Sequence, residues 1–427
     1  MRFCSVFIAL VCAIAACADP TIERPEVERI INTLAHDSMA GRATFSLEID
    51  QAASFIRGEF DDIGLDLLDG EDGYIQDFAV SRVALETATV RLNGRDVLAS
   101  DFGVAAGEEA LHWSGTSDIT VEHVGAEEEL FATFSRLRRT PGNMLVLVDG
   151  AHRESFSQLA RFFNRPRNVT TLGQQNAVWI VTDEREVRDL EVSATTTIES
   201  RPLANVVGII PGRRADEIVL FSAHYDHIGI RRAVDGDSIA NGANDNASGT
   251  TAVIALARYF KALGRPERTL VFAAFTGEES GGFGSTHFSQ QLDPDQIVAM
   301  FNIEMIGKPA TDGPNSAWIT GFERSTFGET LQRAVEGTQY RFYADPYPNQ
   351  NLFYRSDNAT LARLGVPAHS ISTTPIDVDP DYHQVTDHVE TLDLDHLTNT
   401  IIAIAAGART IVSGDETPTR VDTAQVN

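Results

Sequence analysis

Residues 217–227 read EIVLFSAHYDH, a nearly continuous apolar run that ends in two histidines and an aspartate. An apolar run of this length is typical of a β-strand buried on both faces, as strands of parallel sheets are. His224 and Asp226 follow the run directly and are two residues apart, so in an extended chain they share a face. The stretch therefore predicts a central strand with polar chemistry at its carboxyl end.

Two later stretches repeat this arrangement. The apolar runs 269–275 and 297–303 are followed by the pair Glu278-Glu279 and by Glu304, and helical periodicity covers residues 250–260. Helices that alternate with buried strands indicate an α/β domain with a largely parallel sheet. We therefore predict the α/β fold class, with a mixed, largely parallel sheet flanked by helices. In such sheets the ligand site lies beyond the carboxyl ends of the strands, where these acids fall.

The first candidates for metal binding are His224 and Asp245. Asp226 can accept a hydrogen bond from one imidazole nitrogen of His224 and leave the other nitrogen for a metal ion. Taken alone, a surface histidine beside an acid is the alternative. Asp245 lies in the turn GANDNASG at 242–249, just before the predicted helix. Asn246 or Ser248 can cap that helix while Asp245 stays free, and a capping cluster without a ligand role is the other interpretation.

Glu278 and Glu279 are the most informative pair. Adjacent residues in an extended chain point to opposite sides, so one carboxylate can bind a metal ion while the other stays unbound. Two negative charges this close are costly without a cation. The unbound carboxylate can take a proton from a water whose pKa a metal ion lowers from about 15.7 towards about 7. A solvated Glu-Glu pair on a helix is the alternative.

Two more residues complete the candidate set. Glu304 is a lone acid after the third apolar run, and His383 lies in a loop before the last predicted helix at 392–406. Each is weak evidence by itself. Together the candidates supply two histidines, three carboxylates and a spare glutamate, which suits two zinc ions with nitrogen and oxygen ligands.

This set resembles peptidase family M28, zinc metallopeptidases that include co-catalytic aminopeptidases and related carboxypeptidases. The resemblance extends from Met39-Ala40-Gly41-Arg42 to the last helix. It implies a zinc-exopeptidase-like fold and two zinc ions per chain. It also implies these roles: His224 and Glu304 bind the first metal, Glu279 and His383 bind the second, Asp245 bridges both, Glu278 is the general base, and Asp226 orients His224.

Two residues depart from the family pattern. Glu304 stands where the family usually has Asp and is one methylene longer, so we expect metal binding that is retained but altered. The segment Arg355-Ser356-Asp357-Asn358 resembles a family segment that commonly carries His after the Asp. Asn358 therefore puts in doubt a substrate contact at that position.

The domain organisation follows from a change of pattern at residues 85–199, where short alternating runs are bounded by Gly, Asn or Asp. We predict a smaller β-rich domain there, and the resemblance implies a protease-associated-type domain inserted into the catalytic one. Residues 25–84 and 200–412 would then form the catalytic domain, with a C-terminal tail at 413–427.

Composition restricts the partners. Asp and Glu number 61 against 34 Lys and Arg, which gives a formal net charge of −27. Nucleic-acid binding needs a cationic face, so this balance argues against a nucleic-acid partner. Peptides are the expected substrates.

The N-terminus predicts export. Residues 1–18 read as a signal, with Arg2 before an apolar run at 3–16 that is too short to span a bilayer. Ile14-Ala15-Ala16-Cys17 resembles the bacterial lipobox, in which cleavage before the cysteine leaves it lipid-modified; ordinary cleavage after Ala18 is the alternative. We expect a periplasmic protein or a lipoprotein anchored through Cys17 at the outer membrane or cell surface of a bacterium. No transmembrane helix is predicted elsewhere.

The resemblance implies an aminopeptidase in which Glu278 passes the proton of an activated water to the leaving amine. Three alternatives stay open. A carboxypeptidase needs a cationic clamp, for which Arg355 is a candidate. A glutaminyl-cyclase-like enzyme would use a single zinc ion, and a non-catalytic binding module would retain the fold alone.

Overall fold

The computed structural model of the protein describes residues 20–138, 140–173 and 175–426. The predicted signal at 1–18, with Cys17, lies outside the described residues. Within them, none of the helices combines the length and the apolar character that crossing a membrane requires.

The α-helices alternate with strands along the catalytic part of the chain. In chain order they are α1 (Arg24–Leu34), α2 (Leu47–Ile63), α3 (Leu130–Leu137), α4 (Arg153–Phe163), α5 (Ser248–Ala262), α6 (Phe283–Phe288), α7 (Phe327–Ala334), α8 (Asn358–Ala362) and α9 (Leu394–Val412).

The strands form a large sheet, a smaller sheet and a hairpin. In chain order they are β1 (Ile75–Leu92), β2 (Arg95–Asp96), β3 (Phe102–Ala105), β4 (Ala110–Ser114), β5 (Thr120–Val124), β6 (Gly142–Asp149), β7 (Arg167–Val169), β8 (Gln175–Thr182), β9 (Leu190–Ile210), β10 (Arg214–His224), β11 (Gly229–Val234), β12 (Asp237–Ala240), β13 (Arg268–Phe275), β14 (Ile297–Ile303), β15 (Ser316–Ile319), β16 (Arg341–Ala344) and β17 (Ala368–Ser372).

The large sheet has the order β16-β15-β17-β14-β10-β13-β9-β1-β2, with β4 paired to β9 and β7 paired to β1. Its centre is parallel, because β10 pairs in parallel with both β13 and β14, and β14 pairs in parallel with β17. β9 joins β13 antiparallel, and β15 joins β17 antiparallel. The predicted mixed, largely parallel α/β sheet is confirmed.

Strand β10 is buried on both faces, as its apolar run predicts. Val219, Phe221 and Ala223 belong to the core shared with α1, α2, α5 and α9, whereas Ile218 and Leu220 belong to the core shared with α6 and α8. Alternate side chains of one strand therefore pack against helices on opposite faces of the sheet. This packing fixes the carboxyl end of β10, where His224 begins the site.

The predicted insertion is built on two long strands. β1 and β9 pair antiparallel from Ile75↔Val206 to Leu92↔Leu190, with one register shift between Leu85 and Thr87. At the outer end lies the smaller sheet, of order β3-β8-β6-β5. One of its faces packs against α3 and α4, and the other packs against β1, β4 and β9. The predicted domain limits, 85 and 199, fall inside β1 and β9, so a continuous ladder crosses them.

The C-terminal tail packs back on the main sheet. The Arg268 guanidinium, only 2% exposed at the start of β13, donates to the carbonyl oxygens of Ile411 (2.8 Å) and Glu416 (2.7 Å). Its Nε donates to the carboxylate of Glu217 at 2.6 Å. One buried cation thus joins the sheet, the end of α9 and the tail.

Candidate metal centre

The predicted ligands meet at the carboxyl ends of three neighbouring strands. His224 ends β10, the pair Glu278-Glu279 follows β13, and Glu304 follows β14. Asp245 comes from the turn before α5, and His383 from the loop before α9. These side chains line one cavity of about 390 Å³.

One donor cluster consists of His224, Asp245 and Glu304. Nε2 of His224 lies 3.1 Å from Oε1 of Glu304 and 3.4 Å from Oδ1 of Asp245. Ligands at 2.0–2.2 Å from a tetrahedral zinc ion stand about 3.3–3.5 Å apart, so this spacing fits one ion. The other oxygen of Glu304, Oε2, accepts a hydrogen bond from Ser356 Oγ at 2.7 Å.

A second donor cluster contains Asp245, Glu279 and His383. Nε2 of His383 lies 3.2 Å from Oδ2 of Asp245 and 3.2 Å from Oε2 of Glu279. Asp245 therefore turns Oδ1 to the first cluster and Oδ2 to the second. This division is the geometry that a bridging carboxylate needs.

His227 lies beside the second cluster, although the sequence predicts no ligand role for it. Its Nδ1 is 2.8 Å from Oε1 of Glu279 and 3.8 Å from Oδ2 of Asp245, and the three residues form a set able to hold a metal ion. The side chain is 1% exposed. The available signal was its place in the HYDH run, one residue after Asp226.

Asp226 does not form the predicted carboxylate–imidazole hydrogen bond. Its Oδ1 is 3.7 Å from Nδ1 of His224, beyond hydrogen-bond range, whereas its backbone carbonyl oxygen is 3.1 Å from that nitrogen. The carboxylate instead accepts from Thr44 Oγ1 at 2.8 Å and from the backbone N–H of Glu278 at 3.2 Å. Asp226 thus contacts His224 through its main chain and holds the Glu278 turn through its side chain.

Glu278 and Glu279 lie in a turn, not in the extended chain that the sequence analysis assumed. Gly277 before them has φ +75°, in the left-handed region that favours glycine, and the turn closes through hydrogen bonds to the Gly277 and Glu278 carbonyls. Both carboxylates line the cavity. Only Glu279 belongs to a metal-type cluster, so Glu278 is the spare carboxylate.

The negative charge of the cavity favours the binding of cations. Burial acts to lower the pKa of His383, but hydrogen bonds to Asp245 and Glu279 raise it to about 10. Burial and the negative charge of Glu304 raise the pKa of Glu278 well above its ordinary value, against a lowering by His224. Without metal the cavity therefore takes up protons, and the donor set of imidazoles and carboxylates fits zinc in their place.

Hydrogen bonds from backbone N–H groups to neighbouring side chains fix the turn that carries Asp245. The carboxylate of Asp387 accepts from the N–H groups of Asn244 at 2.9 Å and of Asp245 at 3.0 Å. Oδ1 of Asn246 accepts from the Gly249 N–H at 3.0 Å, which satisfies the start of α5. Neighbouring residues therefore supply the local hydrogen bonds, and the Asp245 carboxylate is left for the cavity.

Beyond the metal-type residues, the cavity has an apolar wall and one cation. Met305, Trp318, Leu352 and Ile376 line it together with Arg355. The guanidinium of Arg355 donates to the Tyr382 hydroxyl at 3.0 Å. The Tyr382 ring stacks on His383 with ring centroids 4.0 Å apart.

Asn358, which departs from the family pattern, is fully buried below the cavity. Its amide donates to the carbonyl of Phe353 at 3.0 Å, and its Oδ1 accepts from Ser370 Oγ at 2.9 Å. Neighbouring Asp357 is 2% exposed, and burial raises its pKa to about 7. Asn358 therefore has a packing role here.

The sheet and the paired donor clusters are typical of metal-dependent hydrolases. Residues 205–408 match the family model for peptidase family M28. The chain is 28% identical over 249 residues to a probable leucine aminopeptidase of Trichophyton verrucosum, an alignment that covers 55% of this chain and 66% of the relative. It is 26% identical over 265 residues to leucine aminopeptidase 1 of Metarhizium robertsii, covering 57% of this chain and 64% of the relative.

Solved structures share the fold. An aminopeptidase from Aneurinibacillus sp. strain AM-1 superposes with a TM-score of 0.53 at 18% identity, covering 95% of this chain and 96% of the other. BSAP, a zinc aminopeptidase from Bacillus subtilis, superposes with a TM-score of 0.56 at 19% identity, covering 92% and 96%.

The match to the family model covers just under half of the chain and includes every residue of both donor clusters. It indicates a metallopeptidase, an enzyme of the hydrolase class.

Proposed function

We propose that the protein is an aminopeptidase that removes N-terminal residues from peptides. The observation that carries the proposal is the pair of donor clusters joined by Asp245, with the spare carboxylate of Glu278 beside them. The names of the curated relatives support the aminopeptidase direction. A free substrate amine is cationic and complements a cavity lined by several carboxylates.

Zinc is the metal that we propose for the site, with two ions per chain. His224 and Glu304 would hold one ion, Glu279 and His383 the other, and Asp245 both. When bound, zinc supplies Lewis-acid chemistry that polarises a carbonyl oxygen and lowers the pKa of water from about 15.7 towards about 7. The zinc aminopeptidase of Bacillus subtilis, which shares the fold, is consistent with this choice.

Glu278 is the proposed general base. It lines the same cavity as the donors but belongs to neither cluster, so its carboxylate is available to take a proton from the attacking water. The same carboxylic acid then returns that proton to the leaving amine. Asp226 holds the Glu278 turn in place through the backbone N–H.

The apolar wall indicates the side chain that the site accepts. Met305, Trp318, Leu352 and Ile376 offer apolar surface in the same cavity as the donors, so a leucine-like residue gains by leaving water. An acidic residue there would lose its hydration and meet the carboxylates of the cavity. We therefore propose a preference for large apolar N-terminal residues.

The deciding experiment offers the zinc-loaded enzyme three versions of one leucine-containing peptide: free, N-acetylated and C-amidated. We expect hydrolysis of the free and C-amidated peptides and none of the N-acetylated peptide. Cleavage of the N-acetylated peptide and not of the C-amidated one would show a carboxypeptidase instead.

The Glu278→Gln variant tests the proton transfer. We expect it to retain zinc and to lose at least about 100-fold in kcat, since general acid–base catalysis contributes about 10²–10⁴-fold. Zinc content by mass spectrometry and kcat on leucine anilide are the two measurements. Wild-type turnover with full zinc would contradict the assignment.

The carboxypeptidase alternative rests on Arg355. Its guanidinium lines the cavity beside Tyr382 and can pair with a terminal carboxylate. The C-amidated peptide separates this alternative from the main proposal, because only a carboxypeptidase depends on that carboxylate.

We also propose export, with a lipid anchor at Cys17. Membrane fractionation of the wild type and of Cys17→Ser in a bacterial host tests it. Equal release of both proteins from membranes would contradict the anchor.

A further inference from the structure

His227 is buried beside the second donor cluster but plays no part in the roles described so far. It extends from the end of β10, where its backbone N–H donates to the Arg42 carbonyl at 3.1 Å. Its ring is closely packed against Gly242, where an added Cβ would lie 2.5 Å from Cγ of His227 and 2.6 Å from Cδ2. The imidazole therefore has a defined position and little freedom to turn.

The two oxygens of Glu279 face different imidazoles. Oε1 is 2.8 Å from Nδ1 of His227, which is hydrogen-bond distance, whereas Oε2 is 3.2 Å from Nε2 of His383. Oδ2 of Asp245 lies 3.2 Å from His383 but 3.8 Å from His227. Oε2 thus faces the point where His383 and Asp245 converge, and Oε1 is turned away from it towards His227.

The tautomer of His227 follows from its partners. Nε2 is buried and has no hydrogen-bond partner among the described residues. The side-chain hydrogen bond that the structure gives this ring runs between Nδ1 and Glu279, and a carboxylate can only accept. The proton is therefore on Nδ1, and His227 is the donor.

We propose that His227 is a positioning residue for Glu279: its Nδ1–H holds Oε1 and so directs Oε2 to the second metal ion. Carboxylates that bind metal ions are commonly held by a hydrogen bond of this kind, and losing it costs about 10–100-fold in metal affinity. The inference rests on the proposed metal centre. Direct binding of the ion by Nδ1 is the competing arrangement, because His227, Asp245 and Glu279 also form a set able to hold an ion.

Two substitutions separate the possibilities. His227→Leu removes the donor at similar volume, whereas His227→Asn keeps an N–H donor on Cγ, near the place of Nδ1. His388→Leu is the matched control, because His388 pairs with a carboxylate at 3.1 Å, that of Asp237, outside the donor clusters. Each metal-free protein is titrated with Zn²⁺ against a chromogenic chelator and with Co²⁺ followed by visible absorption. Urea unfolding of the metal-free proteins reports folding.

We expect His227→Leu to weaken one of the two Zn²⁺ binding events by about 10–100-fold and to leave the other within about threefold. His227→Asn should restore that event to within about threefold, and His388→Leu should bind as the wild type does. At saturating Co²⁺ the His227→Leu absorption should keep its wild-type intensity, because no ligand is lost.

Wild-type Zn²⁺ affinity in His227→Leu would overturn the proposal, and so would a loss that follows only from unfolding. A changed Co²⁺ spectrum, with His227→Asn as weak as His227→Leu, would assign His227 as a direct ligand instead. The metal titrations contain no peptide, so their result does not depend on peptidase activity. An absence of peptidase activity in the wild type would therefore contradict the proposed function and leave this test unaffected.

Discussion

Asp245 is the residue on which both donor clusters depend. Its side chain is 3% exposed, and its two oxygens lie 3.4 Å from His224 and 3.2 Å from His383. Burial acts to raise the pKa of this carboxyl, but hydrogen bonds to both imidazoles lower it overall. The lowered pKa keeps Asp245 ionised, which the bridging role proposed for it requires.

Glu304 shows how a longer side chain is accommodated at the first cluster. Oε1 reaches His224 at 3.1 Å while Oε2 accepts from Ser356 at 2.7 Å. The additional methylene therefore brings the second oxygen to the segment Arg355-Ser356-Asp357-Asn358, where the hydroxyl of Ser356 donates a hydrogen bond to it.

The pair Glu217–Arg268 predicts a pH-dependent stability. The hydrogen bond from Arg268 lowers the pKa of Glu217 below its ordinary 4.5. A carboxyl whose pKa is lower in the folded than in the unfolded chain adds stability above its unfolded pKa, and loses it as pH falls through the folded value. We expect Glu217→Gln to lower the free energy of unfolding by about 1–2 kcal/mol at pH 7, with the deficit shrinking below about pH 4.5.

Urea unfolding at several pH values measures this effect. Glu199→Gln is the control, since Glu199 forms an exposed pair with Arg82 at 3.1 Å and should change stability little. A deficit for Glu217→Gln that stays constant down to acid pH would contradict the prediction.

At the residue scale, the sequence predicted a convergence but not every contact. His224, Glu279 and Glu304 come together because they follow neighbouring strands whose ends share one edge of the sheet, and loops before α5 and α9 bring in Asp245 and His383. His227 was missed because a histidine after Asp226 carries no periodic signal. The predicted Asp226 contact was wrong in detail, because the carboxylate lies 3.7 Å from His224 and accepts from Thr44 and Glu278 instead.

At the element scale, Arg42 holds three segments against one another. It is 0% exposed and donates to the backbone carbonyls of Leu34 (2.6 Å), Tyr225 (2.8 Å), Asn241 (2.7 Å) and Gly242 (2.9 Å). These carbonyls belong to the end of α1, the exit of β10 and the turn before Asp245. Burial lowers the pKa of Arg42 to about 10, so it stays charged at neutral pH.

We expect Arg42→Met to lower the free energy of unfolding by at least about 3 kcal/mol, because each buried carbonyl left without a donor costs about 1–3 kcal/mol. Urea unfolding of the metal-free protein is the measurement, and Arg57→Met, an exposed site on α2, is the control. Equal stability of the two variants would show that Arg42 does not join these segments.

Some helices and strands are easier to predict from the sequence than others. The helix predicted at 250–260 is observed as α5 (Ser248–Ala262). The long strands β1 and β9 appear in the sequence only as short alternating runs, because their exposed middle portions carry polar residues on both faces. Residues 197–202 of β9 include no buried side chain, so hydrophobic alternation is interrupted there.

At the scale of the whole molecule, the carboxylates of the donor clusters make the metal-free state costly. Buried acids close to one another repel, and bound cations remove that repulsion. Metal at about a thousandfold its Kd adds roughly 4 kcal/mol to the free energy of unfolding. We expect chelation with EDTA to lower Tm by several degrees and added Zn²⁺ to restore it.

Differential scanning calorimetry measures the change, and zinc-saturated EDTA is the matched control. An unchanged Tm after metal content has fallen to zero would contradict the expected contribution of the site to folding.

The paired strands β1 and β9 also connect the smaller sheet, with α3 and α4, to the part of the chain that carries the candidate metal centre. The pairing of β1 with β9 continues past the limits at 85 and 199, with one register shift between Leu85 and Thr87, and no linker intervenes there. The smaller sheet is therefore joined to the large sheet by paired strands and not by a single-chain linker. To transfer the smaller sheet to another protein, the chain would have to be cut beyond the β1–β9 pair. Cuts at 85 and 199 would divide both strands midway and leave their edges unpaired.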